Sequence, residues 1–283
     1  WCQAALAELK GKQGKYEEAA LWLERARETF ETLGDQAGVA QTLHSAGTLE
    51  AQQGHYEESK RLYLRSLDIR RRLGNSRDIS NTLNNLAIIA RYQQNFETSR
   101  TLHEEALAIR RELGDRSAIA VSLNNLGNLA FDQKNYTEAQ ARLEEAVALQ
   151  REVGDRYYLA NALNNLGNVA RTSGDFERAR QLYTESLRTN QEMGALWAIA
   201  YLLEDISCLE AAQGAYERAL CLQGAAEDLR QEIGAPMTPS EQARLEDSLK
   251  IARERLSPEK RESASQAGKR MTLDKAVRYA LEN

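Results

Sequence analysis

Asparagine recurs in this 283-residue chain at intervals of forty: Asn84, Asn124 and Asn164, then Asn85, Asn125 and Asn165, then Asn128 and Asn168, with Asn81 and Asn161 one helical turn earlier. Each amide offers a donor pair and an acceptor, which complement the C=O and N–H groups of an extended peptide. Asparagine is a poor helix former, so a helical run of it costs stability that packing or binding must offset. Groups suited to covalent or metal chemistry are scattered. His44, His55 and His103 have no second ligand at metal spacing on the same helix face, and read as surface or packing histidines. Gly11-Lys12-Gln13-Gly14-Lys15 lacks the Gly-x4-Gly-Lys-Ser/Thr spacing of a phosphate loop and falls between helices rather than after a strand. Cys2, Cys208 and Cys221 fit neither a disulfide framework nor a zinc site; Cys208 and Cys221 read as inert thiols of a reducing, cytoplasmic compartment. Most carboxylates sit in Arg-Glu or Glu-Glu helical faces, where an ion pair at a spacing of four contributes about 0.2–0.5 kcal/mol. The expectation is a chain with no catalytic residue, no metal and no cofactor.

Thirty-seven basic against 42 acidic side chains leave a formal charge of −5, so no nucleic-acid partner is expected. Mean hydropathy of −0.60 and the lack of a long apolar run argue against a membrane partner. The opening Trp1-Cys2-Gln3, without an initiator Met, is expected of a segment of a longer protein.

The elements that must position these residues follow a fixed period of 40. One column reads Tyr16, Tyr56, Phe96, Tyr136, Phe176, Tyr216, and another Gly34, Gly74, Gly114, Gly154, Gly194, Gly234. Leu123, Leu126, Gly127, Leu129 and Ala130, then Ala139, Leu143, Ala146 and Val147, fall at helical spacing, so each unit reads as two helices. Gly114 suits a left-handed helix end, and Asp115 can accept from the first amides of the next helix. Asp35, Asn75 and Asp155 repeat that cap, whereas Ala195 and Ala235 lose it. Asn135 with Glu138 has the spacing of a capping box for the second helix.

Small residues decide the packing class. Gly47, Gly127 and Gly167 stand on first helices, and Ala19, Ser59, Ser99, Ala139, Ala179 and Ala219 on second helices, with Ala26, Ser66, Ala106, Ala146, Ser186 and Ala226 further on. With Leu83, Leu123 and Leu163 four residues before the glycine position and the aromatic column nine after it, residues 1–234 resemble six tetratricopeptide repeats, the first truncated. The match lacks the usual terminal proline. Its 40-residue period, six longer than the common form, resembles the repeats of kinesin light chains and of bacterial signalling ATPases. The resemblance implies an all-α, right-handed solenoid of antiparallel helix pairs, with residues 235–283 as capping helices and tail. Thr238-Pro239-Ser240-Glu241 opens a helix to about Leu256, Ser257-Pro258 a second, and Thr272 a short third. The stretch from Ala267 through Lys269-Arg270-Met271-Thr272 to Leu281 resembles the tail that closes the repeat region of those ATPases, in which a nucleotide-binding module precedes the repeats and a LuxR-type DNA-binding or other output domain often adjoins them.

In a tetratricopeptide array, the positions three before and one after the glycine face the inner, concave surface. They read His44, Asn84, Asn124, Asn164, Glu204 and Thr48, Ile88, Asn128, Asn168, Cys208. With Asn81 and Asn161, and flanked by Arg91, Tyr92, Phe131, Asp132, Arg171 and Tyr201, they form the expected peptide-binding groove, in which amides hold a backbone and Arg and aromatic residues select side chains. Packing is the competing account of the column containing Asn124, and architecture the expected role of Asn85, Asn125 and Asn165. Relatives that clamp a chaperone's terminal carboxylate carry Lys where Asn84, Asn124 and Asn164 stand here, so that partner class is not implied. The expected function is a non-enzymatic module that binds a protein or peptide, or other domains of its parent chain, as the sensor or docking region of a bacterial signalling ATPase or transcriptional regulator. A constitutive scaffold or oligomerisation region is the alternative.

Overall fold

Punctuation at the ends of each helix explains where the chain breaks. The computed structural model describes residues 2–12 and 14–282, and no strand occurs among them; Gln13 of the Gly-Lys stretch lies outside the described residues. The chain divides into two compact units, residues 1–135 and 136–283. The first holds three helix pairs, α1 (Cys2–Lys12) with α2 (Tyr16–Thr32), α3 (Gln36–Gln52) with α4 (Tyr56–Leu73), and α5 (Ser76–Tyr92) with α6 (Phe96–Glu112), followed by α7 (Arg116–Asp132). The second begins with α8 (Tyr136–Val153) and holds the pairs α9 (Arg156–Thr172) with α10 (Phe176–Met193) and α11 (Leu196–Ala212) with α12 (Tyr216–Glu232). Three more helices close it: α13 (Pro239–Arg255), α14 (Pro258–Lys269) and α15 (Leu273–Leu281).

The caps between repeats form at four positions as the spacing predicts. Asp35, Asn75, Asp115 and Asp155 each accept from a backbone amide three residues on, at 2.9–3.3 Å. The glycine preceding each cap takes a left-handed φ of +65° to +77°, a conformation strained for residues with a Cβ. Ala195 starts α11 without a side-chain cap. No helix starts at Ala235; the chain continues to Thr238, whose capping box with Glu241 opens α13. The turns inside each repeat are less uniform: Gly14, Gly54, Gly174 and Gly214 are left-handed, and so are Gln94 and Lys134, at φ +59° and +60°.

Small residues bring paired helices together. Ser59 and Ser66 of α4 donate to the carbonyls of Gly47 and Ala40 in α3, both at 2.7 Å, and Ser99 does the same to Ala87 at 2.8 Å. A Cβ at Gly167 would stand 2.6 Å from the Tyr183 ring, so a larger residue there would push α9 off α10. In the second unit α12 is clasped on two sides, by α11 and by α14. Contact with α14 is so close that a Cβ at Gly268 would lie 1.9 Å from the Cys221 carbonyl oxygen. Ala276, Val277 and Ala280 of α15 join the same core as Leu202, Leu203 and Leu222. Among the described residues no helix is long and apolar enough to cross a membrane.

Candidate functional site

The first helix of each pair carries the predicted groove positions, and side-chain bonds spanning 41 residues tie these helices to one another. In the first unit Asn125 Nδ2 donates to Asn84 Oδ1 at 2.9 Å, Asn85 Nδ2 lies 3.2 Å from His44 Nε2, and Arg91 pairs with Asp132. In the second unit Asn164 Nδ2 donates to Asp205 Oδ2 at 3.0 Å. Each contact joins one repeat to the next, so this ladder is architectural. Asn84, expected at the groove surface, is buried by it.

What remains open differs between the units. On α5, Asn81 and Tyr92 are exposed and Ile88 and Arg91 half-buried; on α7, Asn124, Asn128 and Phe131 are half-buried and Asp132 exposed. Tyr92 is 58% exposed and stacks on Tyr56 with ring centroids 5.4 Å apart. These eight residues, the Arg91–Asp132 pair among them, share the first unit's open face.

In the second unit most of the predicted residues are held in internal bonds. Asn168 Nδ2 donates to Asp205, while its oxygen accepts from Tyr183 Oη at 2.9 Å and from Arg171 Nη2 at 3.4 Å. Asn164, Asn168 and Arg171 thus form one network around a buried carboxylate. Glu204, expected on the groove surface, is instead buried and gripped by Arg230, whose Nε and Nη2 lie 2.5 and 3.0 Å from its oxygens. Burial pushes this carboxyl upward against the pull of Arg230. Cys208 packs with Ala211, Leu245, Leu249 and Ala252, the last three from α13, and burial raises its thiol pKa. Its partner in the sequence argument, Cys221, is likewise free and buried. Helix α13 therefore covers the C-terminal half of α11, and its Arg244 reaches to 3.5 Å from Asp205. Asn161 is exposed and Tyr201 half-buried, under the Arg230 guanidinium at 4.7 Å.

Sequence reasoning missed the buried charges. Arg70 of α4 donates to Gln41 and Thr82 at 2.7 Å and to the Asp78 carbonyl at 3.1 Å; Arg110 of α6 repeats this with Asn81, Ser122 and the Ala118 carbonyl. The signal was the column Phe30, Arg70, Arg110, Gln150, Asn190, Arg230, which turns polar at an inward helical position. Glu210 is also buried, between Arg180 at 2.9 Å and Arg218 at 3.1 Å. His44 belongs to the ladder rather than the surface; burial, then the Arg70 charge, lowers its pKa to about 3. No group of three His, Cys, Asp or Glu side chains able to hold a metal occurs among the described residues.

Helix pairs at a fixed period, cross-braced by side chains and open along one file, define a helical-repeat interaction scaffold. The tetratricopeptide repeat pattern matches residues 2–72, 78–136 and 118–192, and the chain belongs to the tetratricopeptide repeat family, a non-catalytic scaffold for protein–protein interaction. No curated protein matches it in sequence. Among solved structures it is similar to a Rap protein complexed with competence and sporulation factor, with 17% identity over 94% of this chain and 75% of that one and a TM-score of 0.67. It is also similar to a signal transduction ATPase with numerous domains that carries a tetratricopeptide repeat sensor, from Pyrococcus horikoshii, with 18% identity and a TM-score of 0.65. That match covers 88% of this chain but only 38% of the ATPase. A putative kinesin light chain with nearly identical repeats, from Podosopora anserina, shares 16% identity over 69% of this chain and 95% of that one, with a TM-score of 0.56.

Proposed function

We propose that this chain binds an extended protein segment along the open face of α5 and α7, and that it is the sensor or docking region of a larger signalling ATPase or transcriptional regulator. One observation carries the binding role: α5 and α7 keep a file of amide, aromatic and aliphatic side chains within reach of solvent while their packing files are closed. Tyr92 and Phe131 supply apolar anchors, Asn124 and Asn128 line the file with amides, Asn81 adds an Nδ2 donor while its oxygen is held by Arg110, and the Arg91–Asp132 pair offers both charges at one spot. Support for the parent role comes from the Pyrococcus horikoshii signal transduction ATPase with a tetratricopeptide repeat sensor, part of which has this fold, and from the tail at residues 267–281. The internal bonds of Asn84, Asn164 and Asn168 favour architecture at those positions, so the proposed site is confined to the first unit.

The test is selection from a random peptide display library on the full chain, repeated with a Tyr92→Ala, Asn124→Ala, Asn128→Ala variant of equal circular dichroism. Peptides retained by the parent and lost by the variant support the reading. Selected peptides that bind both equally, or none at all, refute it and leave a scaffold without a dedicated site.

A further inference from the structure

Four aromatic rings crowd the N-terminal ends of α9 and α11. Tyr157 meets Tyr158 edge-on at 5.2 Å between centroids and 79°, and lies 6.5 Å from Trp197; Trp197 in turn stands 6.3 Å from Tyr201 at 83°. Large aromatic side chains normally hide, yet Tyr157, Tyr158 and Trp197 are 45%, 41% and 46% exposed. The fold does not demand them there. Forty and eighty residues earlier, Ser117 and Arg77 hold the register of Tyr157 and Trp197, and Ala118 and Asp78 that of Tyr158.

Two further features narrow the partner. The Tyr157 and Tyr158 hydroxyls and the Trp197 indole N–H have no hydrogen-bond partner among the described residues, so three donors stand free beside the ring faces. The guanidinium that lies on these rings, that of Arg230 over Tyr201, is already paired with Glu204, and Arg156, next to Tyr157 in the chain, pairs with Glu192. A surface of tilted rings and free donors matches a ligand that is apolar in side chain and rich in unpaired carbonyls.

We propose that Tyr157, Tyr158, Trp197 and Tyr201 form a docking surface for a proline-rich segment of a partner protein in the polyproline II conformation. That conformation has no internal hydrogen bonds, so its carbonyls point outward to the hydroxyl and indole donors, while prolyl rings seat in the clefts between tilted aromatic rings. The three centroid steps cover at most about six residues of polyproline II at about 3.1 Å each. An added β-strand is disfavoured because the chain offers no sheet edge among its described residues. Since the segment is already ordered when free, docking loses little conformational entropy, which suits a small patch. This surface shares no residue with the α5 and α7 file, and it extends the proposed peptide-binding role to a named class of ligand.

The test is fluorescence anisotropy of a fluorescein-labelled decaproline titrated with the full chain, with a glycine-serine decapeptide as control. The variant is Trp197→Ser, which places at 197 the residue found at 117, and its helicity and melting temperature are compared with the parent. Tyr157→Phe, which removes only a hydroxyl, is the second variant. The expected result is saturable binding of decaproline but not of the control, weakened at least tenfold by Trp197→Ser and severalfold by Tyr157→Phe. No saturation with millimolar chain, or equal binding by parent and Trp197→Ser, overturns the proposal. Self-association abolished by Trp197→Ser, with no decaproline binding, overturns it in favour of a contact between copies. Display peptides lost with the Asn124 and Asn128 variant while decaproline fails to bind would sink this inference alone. Decaproline binding sensitive to Trp197 while display yields nothing would sink only the α5 and α7 reading.

Discussion

Replacing His103 by leucine should stabilise the first unit, and the gain should grow in acid. His103 stands on α6 at the register of Leu23 and Tyr63 in earlier repeats and of Leu143 and Tyr183 in later ones. It is fully buried, and neither ring nitrogen has a hydrogen-bond partner. Tyr63 at the same register bonds Thr48 at 2.9 Å, but forty residues on the register of Thr48 is held by Ile88, which has no polar atom in its side chain. A buried polar group left unpaired costs about 1–3 kcal/mol, so His103→Leu should add about that much near neutral pH. Acid adds to the difference. Burial first, then the Arg91 and Arg110 charges, lower the His103 pKa to about 3 from 6.5. Below about pH 6.5 the unfolded chain takes up a proton that the folded chain refuses, so stability falls as pH drops toward about 3. For such a shift the linkage relation gives a loss of about 2 kcal/mol per histidine between about pH 7.5 and about pH 5. His44 has a similarly lowered pKa and stays in both proteins, so the comparison isolates His103. Urea titrations at both pH values, reading midpoint and slope, should show a higher midpoint for the variant and a gap that widens in acid. A variant no more stable than the parent, losing stability in parallel with it, would refute the account of an unsatisfied, neutral, buried imidazole.

Gln94 and Lys134 hold left-handed turns that glycine holds in the other repeats. Gln94→Gly and Lys134→Gly should each stabilise by about 0.5–1 kcal/mol, since relief of about 1–2 kcal/mol of backbone strain outweighs the added freedom of the unfolded chain; a lower melting temperature would contradict this. Glu204→Ala strands the Arg230 guanidinium in the core and should cost about 3–5 kcal/mol, whereas Glu204→Leu combined with Arg230→Met should recover most of it. Thermal unfolding of both variants checks this, and equal losses would show that packing rather than the lone charge sets the penalty.

The fold was legible because its signals are local and repeated six times. Glycine and its capping partner fix the boundaries at Gly34, Gly74, Gly114 and Gly154, and small residues at Ser59, Ser66 and Gly167 set the pairing distance. The candidate site was legible only in part. Asn84 and Asn85 look alike in a helix, and what each one meets, Asn125 for the first and His44 for the second, lies on a neighbouring helix 41 residues away. Glu204 sits at the same register as Asn164, but its fate was decided by Arg230 on α12, and that of Cys208 by α13, a helix outside the repeat. Arg70 and Arg110 passed as ordinary basic residues near helix ends, since nothing in their own helices shows that Gln41 and Asn81 wait for them. Helical periodicity reports which way a side chain points; it does not report what arrives to meet it.

The amide rung between Asn84 and Asn125 has a consequence for how such a chain grows. A primary amide both donates and accepts, so a duplicated copy of α5 and α6 would meet its parent with the partners it already has. The last pair lacks that freedom. Asp205 accepts from Asn164 and Asn168 and faces Arg244, Glu204 is committed to Arg230, and Gly268 fits α14 tightly against α12. A repeat copied from α11 and α12 would arrive with carboxylates that have no arginines waiting and an outer helix already occupied. A copy of an interior pair brings its own partners with it, while a copy of the C-terminal pair needs new ones, so lengthening by duplication is compatible with the asparagine rung and not with the carboxylates of α11.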